Sequence, residues 1–369
     1  MKEVVVSPTR PLITAHVHEV PVPKPTDDQI LIRVVVAASN PKDYKHVIST
    51  GLSGNSGDDA AGFVEDLGSS VRSSGQFRRG DRVAAFHVMM TSGGTYAEYA
   101  LAPATTVFHI PDWISFESAS TIPLTALAAA LPLFRRQNLP APWMKRSSDA
   151  GPLPLIVYGA SSALGTFAIK LARLSNIHPI IAIAGGSFHY VDKFLDASKG
   201  DALVDHRNGT QAMQSGVKMA LKGLEAFHAL DAICEKKSWV AVSQMMSGGV
   251  LSVVQASEKY DQSEIPSHVQ ISYSFVGSAH SGAFLDSMPR QPTDKESVKA
   301  DVDFSYVFFR YISWLLSKGE FEGHPYEVIP GGLDGVELGL RKLERGEAKG
   351  VKYVYRVLEN YDVVNKEST

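Results

Sequence analysis

Leu155-Ile156-Val157-Tyr158, Gly159-Ala160-Ser161-Ser162-Ala163-Leu164-Gly165 and Thr166-Phe167-Ala168-Ile169-Lys170-Leu171-Ala172-Arg173-Leu174 are contiguous in the chain. Pro152 and Pro154 close the preceding loop, four apolar or β-prone residues make a short buried strand, and a small-residue turn opens an amphipathic helix. Gly159 permits a backbone conformation that a Cβ would hinder, and Gly165 lets the helix approach the strand. Between them Ser161, Ser162, Ala163 and Leu164 bring backbone N–H groups to a helix N-terminus, which favours a diphosphate. The Gly-x5-Gly spacing lacks the middle glycine of the dinucleotide fingerprint, so the turn alone fits an ordinary strand-to-helix corner equally well.

The segments downstream of the turn decide between the two. Ile177 to Ala184 reads as a second strand, Val191 to Ser198 as a helix and Ala202 to Val204 as a third strand, closed by Asp205-His206-Arg207. Ala226 to Cys234, Gly248 to Val254 and Ile271 to Val276 supply three more strands, with a helix over Trp239 to Met246. Strands spaced by helical segments require crossovers and a parallel sheet, so the fold class is α/β, a doubly wound Rossmann sheet. Ligands of such sheets lie beyond the carboxyl ends of the strands, which places Val254, Gln255 and Ala256 on the nicotinamide side. The second strand ends in Ala184-Gly185-Gly186-Ser187, with no acid before Asp192 to receive a ribose 2′-hydroxyl. That absence favours NADPH over NADH, with Lys193 or Arg207 as cationic partners; both also read as solvated surface charges.

A chain of 369 residues points to two domains or to one domain with an insertion. Hydrophobic residues at 44% and charged residues at 20% fit a soluble globular protein, and a net charge of −3 gives no reason to expect nucleic acid or an anionic membrane as partner. Cys234 is the one cysteine, which excludes an intramolecular disulfide and a cysteine-rich zinc lobe. The N-terminal apolar run is too short for a signal peptide, and Leu124 to Phe134 falls short of the about 20 residues that span a bilayer. A reduced, cytoplasmic setting is the expectation.

Ahead of the nucleotide half lie β-rich runs at Glu3 to Ser7 and Ile30 to Ala37, the latter with too little alternation to have an exposed face. Asn40-Pro41-Lys42-Asp43-Tyr44-Lys45 is a turn into a helix, and glycines recur between short β-rich runs up to Ile110, as in a barrel-like β domain. His16-x-His18 reads as one face of a strand. Gly277 to Ala300, polar and rich in Gly, Ser and Pro, reads as a surface loop beside the substrate entrance. Phe304 to Lys318 is a helix with a core-facing aromatic stripe, followed by a helix over Leu333 to Arg345, a strand over Lys352 to Val357 and a loose tail over 359 to 369.

Taken in order, Gly80-Asp81-Arg82-Val83, Gly93-Gly94-Thr95-Tyr96-Ala97-Glu98-Tyr99, Ala119 to Leu124 and the nucleotide stretch resemble the medium-chain dehydrogenase/reductase superfamily over nearly the whole chain. Asn40-Pro41-x-Asp43, Val157 to Ser162, His324-Pro325-Tyr326, Pro330 to Leu333 and Lys349 to Val354 are similar to its fungal branch of trans-acting enoyl reductases and ToxD-like proteins. The resemblance implies a Rossmann domain (126–277) inserted into a GroES-like β-rich catalytic domain (1–125 and 278–369). Zinc-dependent members carry a cysteine near Pro41 and Lys42 and a Gly-His-Glu segment where Gly57-Asp58-Asp59 stands, so no metal is expected here.

The resemblance further implies NADPH-dependent hydride transfer to a conjugated double bond of a small-molecule or carrier-bound substrate, with a polyketide synthase as partner and a monomer or homodimer as the assembly. Tyr44 and Lys45 are its candidate catalytic groups. Its cofactor contacts carry over to Pro41, Lys42, Asp43, Tyr44, Ser161, Ser162, Ala163, Leu164, Ser187, Phe188, His189, Tyr190, His206, Val254, Gln255, Lys349 and Gly350. His206 stands where a tyrosine is usual. Ala128 stands where many members have a threonine, with Thr125 one turn earlier. Two other readings stay open: a zinc-independent quinone oxidoreductase, and a cofactor-binding protein that performs no redox step.

Overall fold

A computed structural model describes residues 1–9, 13–255, 260–281 and 295–358. Ala256, most of the Gly277 to Ala300 stretch and the 359 to 369 tail lie outside the described residues. Fifteen strands are present among those described, β1 (Lys2–Pro8), β2 (Ile13–Glu19), β3 (Gln29–Ala38), β4 (Asp59–Leu67), β5 (Arg82–Phe86), β6 (Tyr99–Pro103), β7 (Val107–His109), β8 (Leu155–Tyr158), β9 (Ile180–Ala184), β10 (Ala202–Asp205), β11 (His228–Asp231), β12 (Gly249–Val253), β13 (Val269–Tyr273), β14 (Tyr326–Val328) and β15 (Lys352–Arg356). The chain divides into two compact units, the breaks falling between Leu124 and Thr125 and between Val276 and Gly277, with the chain from Val298 onward in the first unit.

In the first unit the long strand β3 is the hub. It pairs β4 along one edge, while its other edge is shared by β6 over Gln29–Arg33 and by β15 over Val36–Ala38. Only its first residue and Arg33 escape full burial, as the weak alternation required. Its ladder with β4 slips at Leu31/Ile32 and at Val34/Val36. Gly62 sits at the second slip, where a Cβ would come within 2.1 Å of the Arg33 carbonyl oxygen, so the bend needs a residue without a side chain. Strand β2 closes a hairpin with β1 and shows His16 and His18 to solvent.

The second unit is one six-stranded parallel sheet in the order β10-β9-β8-β11-β12-β13. Its first strand, β8, lies in the middle, and the chain reverses direction across the sheet between β8 and β11, which is where open α/β sheets bind ligands. The helix Ala163–Leu174 is amphipathic as read, with Phe167, Ala168, Ile169, Leu171 and Ala172 buried.

Four elements differ from the reading of the sequence, the first being the strand expected over Ala226 to Cys234, which spans only His228–Asp231. The helix expected over Val191 to Ser198 is one turn, His189–Asp192, then a separate 3-10 turn at Ala197–Lys199. Asp196 Oδ1 accepts from the Ser198 N–H and hydroxyl, a local bond that competes with helix continuation. A helix over Thr210–Leu221 lies where the sequence reading has none, with Met213, Val217 and Leu221, at helical spacing, as its buried face. The stretch from Gly277 is not all surface: Ser278 and His280 are buried, and the next helix begins at Lys295, before Ala300. Among the described residues no helix is long and apolar enough to cross a membrane.

Candidate functional site

The turn after β8 has the geometry that its glycines suggested. Gly159 holds φ at 75°, in the left-handed region. A Cβ on Gly165 would lie 2.3 Å from the Gly159 carbonyl oxygen, so the helix can begin this close to the strand only with glycine there. Ser162 caps the helix, its hydroxyl accepting from the Gly165 N–H at 3.1 Å. Ser161, Ser162, Ala163 and Leu164 are half-buried, and the N–H groups of Ala163 and Leu164 fall in the first helical turn, beyond reach of any intrahelical carbonyl. No carboxylate stands on this turn. Amides at a helix start with no carboxylate among them fit a dinucleotide diphosphate.

At the end of β9, Ser187 and Phe188 are half-buried and His189 is exposed. The Tyr190 hydroxyl accepts from the Lys170 ammonium at 3.0 Å, and Lys193 lies 4.0 Å over the Tyr190 ring. Tyr190 is thereby held between two lysines. His206 is exposed, and its Nε2 would lie 3.0 Å from a Cβ on Gly185, while Arg207 Nη1 would lie 3.4 Å from one on Gly186. The Arg207 guanidinium also grips Asp205 through Nε and Nη2, at 3.0 and 2.7 Å, which holds the Asp205 carboxyl at about 2. Val254 and Gln255 are half-buried at the end of β12, where Val254 N–H donates to Cys234 Sγ and Gln255 Nε2 to the Ile233 carbonyl.

In the first unit, Pro41 is exposed and starts the helix Lys42–Thr50. Tyr44 and Lys45 are half-buried on its first turns. Lys42 and Asp43 point inward. The Lys42 ammonium lies 2.8 Å from Asp43 Oδ1, ion-pairs with Asp58 and donates to the Ser56 carbonyl at 2.6 Å. Asp43 Oδ2 accepts from the Asn40 N–H at 2.8 Å and from the Tyr96 hydroxyl at 2.6 Å. Next to it Asp59 accepts from Leu124 N–H at 2.7 Å, from Asn40 Nδ2 at 2.8 Å and from Lys352. Lys349 is exposed and Gly350 has φ of 70°, two residues before β15 carries Lys352 into this network.

Three fully buried carboxylates, Asp43, Asp58 and Asp59, thus face two ammonium groups, Lys42 and Lys352. Burial pushes the Asp58 carboxyl up to about 7 against the pull of Lys42, as expected where cations are one too few. Burial alone would lower Lys42, but Asp43 and Asp58 outweigh it and hold the ammonium above its ordinary range. His46, whose Nδ1 is buried without a hydrogen-bond partner, is pulled down to about 4 by burial and by Lys42.

Lys42 and Asp58 neutralise each other. The donors do not fit a zinc site, and among the described residues no group of three or more His, Cys, Asp or Glu could hold a metal ion.

Residues 26–112 match the alcohol dehydrogenase GroES-like domain family. The trans-enoyl reductase fsr4 of Gibberella fujikuroi is 35% identical over 90% of this chain and 91% of its own length. The chain belongs to the trans-enoyl reductases of the medium-chain dehydrogenase/reductase superfamily. Trans-enoyl reductase resD of Aspergillus sclerotiorum is 28% identical over 95% of the chain and 98% of its own length. A solved NAD-dependent alcohol dehydrogenase shares the fold, with a TM-score of 0.71 at 21% identity over 97% of this chain and all of the other. As a member of this family the chain is an oxidoreductase, and the family uses a nicotinamide cofactor.

Proposed function

We propose that this trans-enoyl reductase uses NADPH to reduce a conjugated C=C bond, in an enoyl thioester or an enone, within a fungal secondary-metabolite pathway of polyketide type. The observation that carries this reading is the 35% identity to fsr4 over 90% of the chain. NADPH, when bound, supplies hydride for an electron-poor carbon. The amides of Ser161 to Leu164 hold its diphosphate, and Gly165 lets the helix that carries them start close against β8. Ser187, His206 and Arg207 receive the adenosine end. Arg207, beside Gly186 and with no acid at the end of β9, favours the 2′-phosphate.

A conjugated carbonyl gains charge on its oxygen as the β-carbon is reduced, and the α-carbon then takes a proton. Lys45 and Tyr44 are the groups we assign to steadying that oxygen and supplying that proton. Lys42 and Asp43 serve the same turn from beneath, by fixing its backbone. Pro41, Lys349 and Gly350 complete the cofactor contacts of the first unit, and Phe188, His189, Tyr190, Val254 and Gln255 those of the second. A carrier-bound chain presented by a polyketide synthase fits a reaction that needs no group beyond the conjugated carbonyl.

NADPH oxidation against short α,β-unsaturated thioesters, enones and quinones tests the reading. Turnover of thioesters or enones with Lys45→Met slowed at least about tenfold is expected for a lost proton or hydrogen-bond donor. Turnover of quinones alone would reassign the enzyme as a quinone oxidoreductase. Tight NADPH binding without oxidation by any acceptor would favour a non-redox role, the reading that Ala128, in place of the usual threonine, motivates.

A further inference from the structure

Between β11 and the helix Ser238–Ser243, three residues with side chains, Cys234, Lys236 and Lys237, hold φ of 55, 51 and 58°. Such conformations persist only where the surroundings over-determine them, and they collect at ligand sites. Asp231, the last residue of β11 and fully buried, holds this segment at both ends. Its Oδ1 accepts from the N–H groups of Ile233 and Cys234, each at 2.9 Å, and its Oδ2 accepts from the Ser238 hydroxyl. Among the described residues no cation pairs with it, so a carboxylate is kept out of water for these three donors.

The same segment is held from two more sides. Ala232 N–H donates to the Tyr158 carbonyl at 3.0 Å, and Gln255 Nε2 to the Ile233 carbonyl at 2.8 Å. The outcome is where Ile233 lies: a Cβ on Gly159 would be 2.4 Å from Ile233 Cγ1. The half-buried Ile233 therefore covers the first glycine of the diphosphate turn. It approaches from the β11 side of β8, opposite to β9, whose end carries the adenosine-side residues Ser187 and Phe188.

We propose that Asp231 is a positioning residue of the cofactor site: it fixes the strained segment so that Ile233 forms the wall of the β8 turn on the nicotinamide side. The inference rests on the reading of that turn as the site of the nicotinamide cofactor. A fold-only role would not distinguish the two halves of the ligand, whereas a wall on one side does.

The experiment titrates wild type and variants with NADPH and with 2′,5′-ADP, which has the adenosine end and lacks the nicotinamide. Asp231→Ala is expected to loosen NADPH about tenfold, from the loss of hydrogen bonds to a charged acceptor, and to leave 2′,5′-ADP within about twofold. Asp231→Asn, which keeps one acceptor oxygen for both backbone N–H groups, is expected to recover most of that loss. Ile233→Ala leaves the Asp231 bonds intact and is expected to weaken NADPH selectively as well, which decides the matter should Asp231→Ala fail to fold. Equal loosening of both ligands, or unchanged NADPH binding in Ile233→Ala, overturns the proposal while the cofactor reading stands. Wild type that binds neither ligand overturns both.

Discussion

The two places where this chain prepares for chemistry are built on opposite principles. The turn after β8 contains no charged side chain; it works through two glycines, a serine cap and the free amides of a helix start. The turn after β3 is crowded with charge, three carboxylates and two ammonium groups out of water within one network. The first is preorganised by what its residues lack, and a Cβ is enough to spoil it. The second is preorganised by mutual neutralisation, and it fails when one partner goes. Turns of the first kind leave a fixed spacing in a sequence, while networks of the second kind leave only scattered charges.

The largest effect should come from breaking the charged network. Lys42→Met leaves Asp43 and Asp58 buried without their cation, and the variant should lose about 3–5 kcal/mol of unfolding free energy in denaturant titrations. Lys42→Met with Asp58→Asn should recover part of that loss, and a double variant as unstable as the single one would mean that Asp58 is not the partner that matters.

Acid should reveal the same contrast next. Burial pulls His87 down to about 4, although its bonds to the Leu101 and Thr91 carbonyls oppose the shift, and burial pulls His280 down to about 3. Between about 4 and 6.5, His87 binds fewer protons folded than unfolded, so its environment costs the fold stability as pH falls through that window. Asp58 acts in the opposite sense, its raised carboxyl contributing stability that is lost as pH rises from 3.8 towards about 7. Comparing wild type with His87→Asn isolates the histidine: the wild-type advantage should shrink by about 3 kcal/mol from about pH 7 to about pH 4. A constant difference across that range would refute the assignment.

The uncharged turn should break more quietly. Gly165→Ala forces a methyl against the Gly159 carbonyl oxygen and should cost about 1–3 kcal/mol in thermal or chemical unfolding, as overpacking does, together with NADPH affinity. The smallest expected effect is at the exposed Arg207. Arg207→Ser should weaken NADPH several-fold and NADH hardly at all, as read by fluorescence titration of each, because salt and solvent screen a charge at that position. Equal losses for both cofactors would place Arg207 outside the phosphate contact.

Much of the uncharged turn is legible in the residues alone. The β8 strand matches its reading residue for residue, and the close approach at Gly165 agrees with its spacing. The absence of an acid after β9 is equally plain, since a missing residue type needs no fold to be noticed. Lys42 reads as a cofactor contact from its place in the motif; its actual direction depends on Ser56 and Asp58, which lie outside that motif and come beneath it. Lys352 belongs to the same cluster from 293 residues beyond Asp59. Asp231 and Ile233 read only as residues of the strand over Ala226 to Cys234, since neither carries a motif and their meaning lies in where β11 sits beside β8.

What the sequence determined by itself was set by neighbours within a few residues: the β8 strand, the glycine turn after it and the amphipathic helix that this turn opens. What only the tertiary structure decided was which buried charges meet, and which side chain covers the diphosphate turn. The reason is the reach of the interactions. Backbone conformation and capping act over one or two turns of chain, whereas burial and ion pairing depend on distances that the chain closes only when strands far apart in sequence lie side by side.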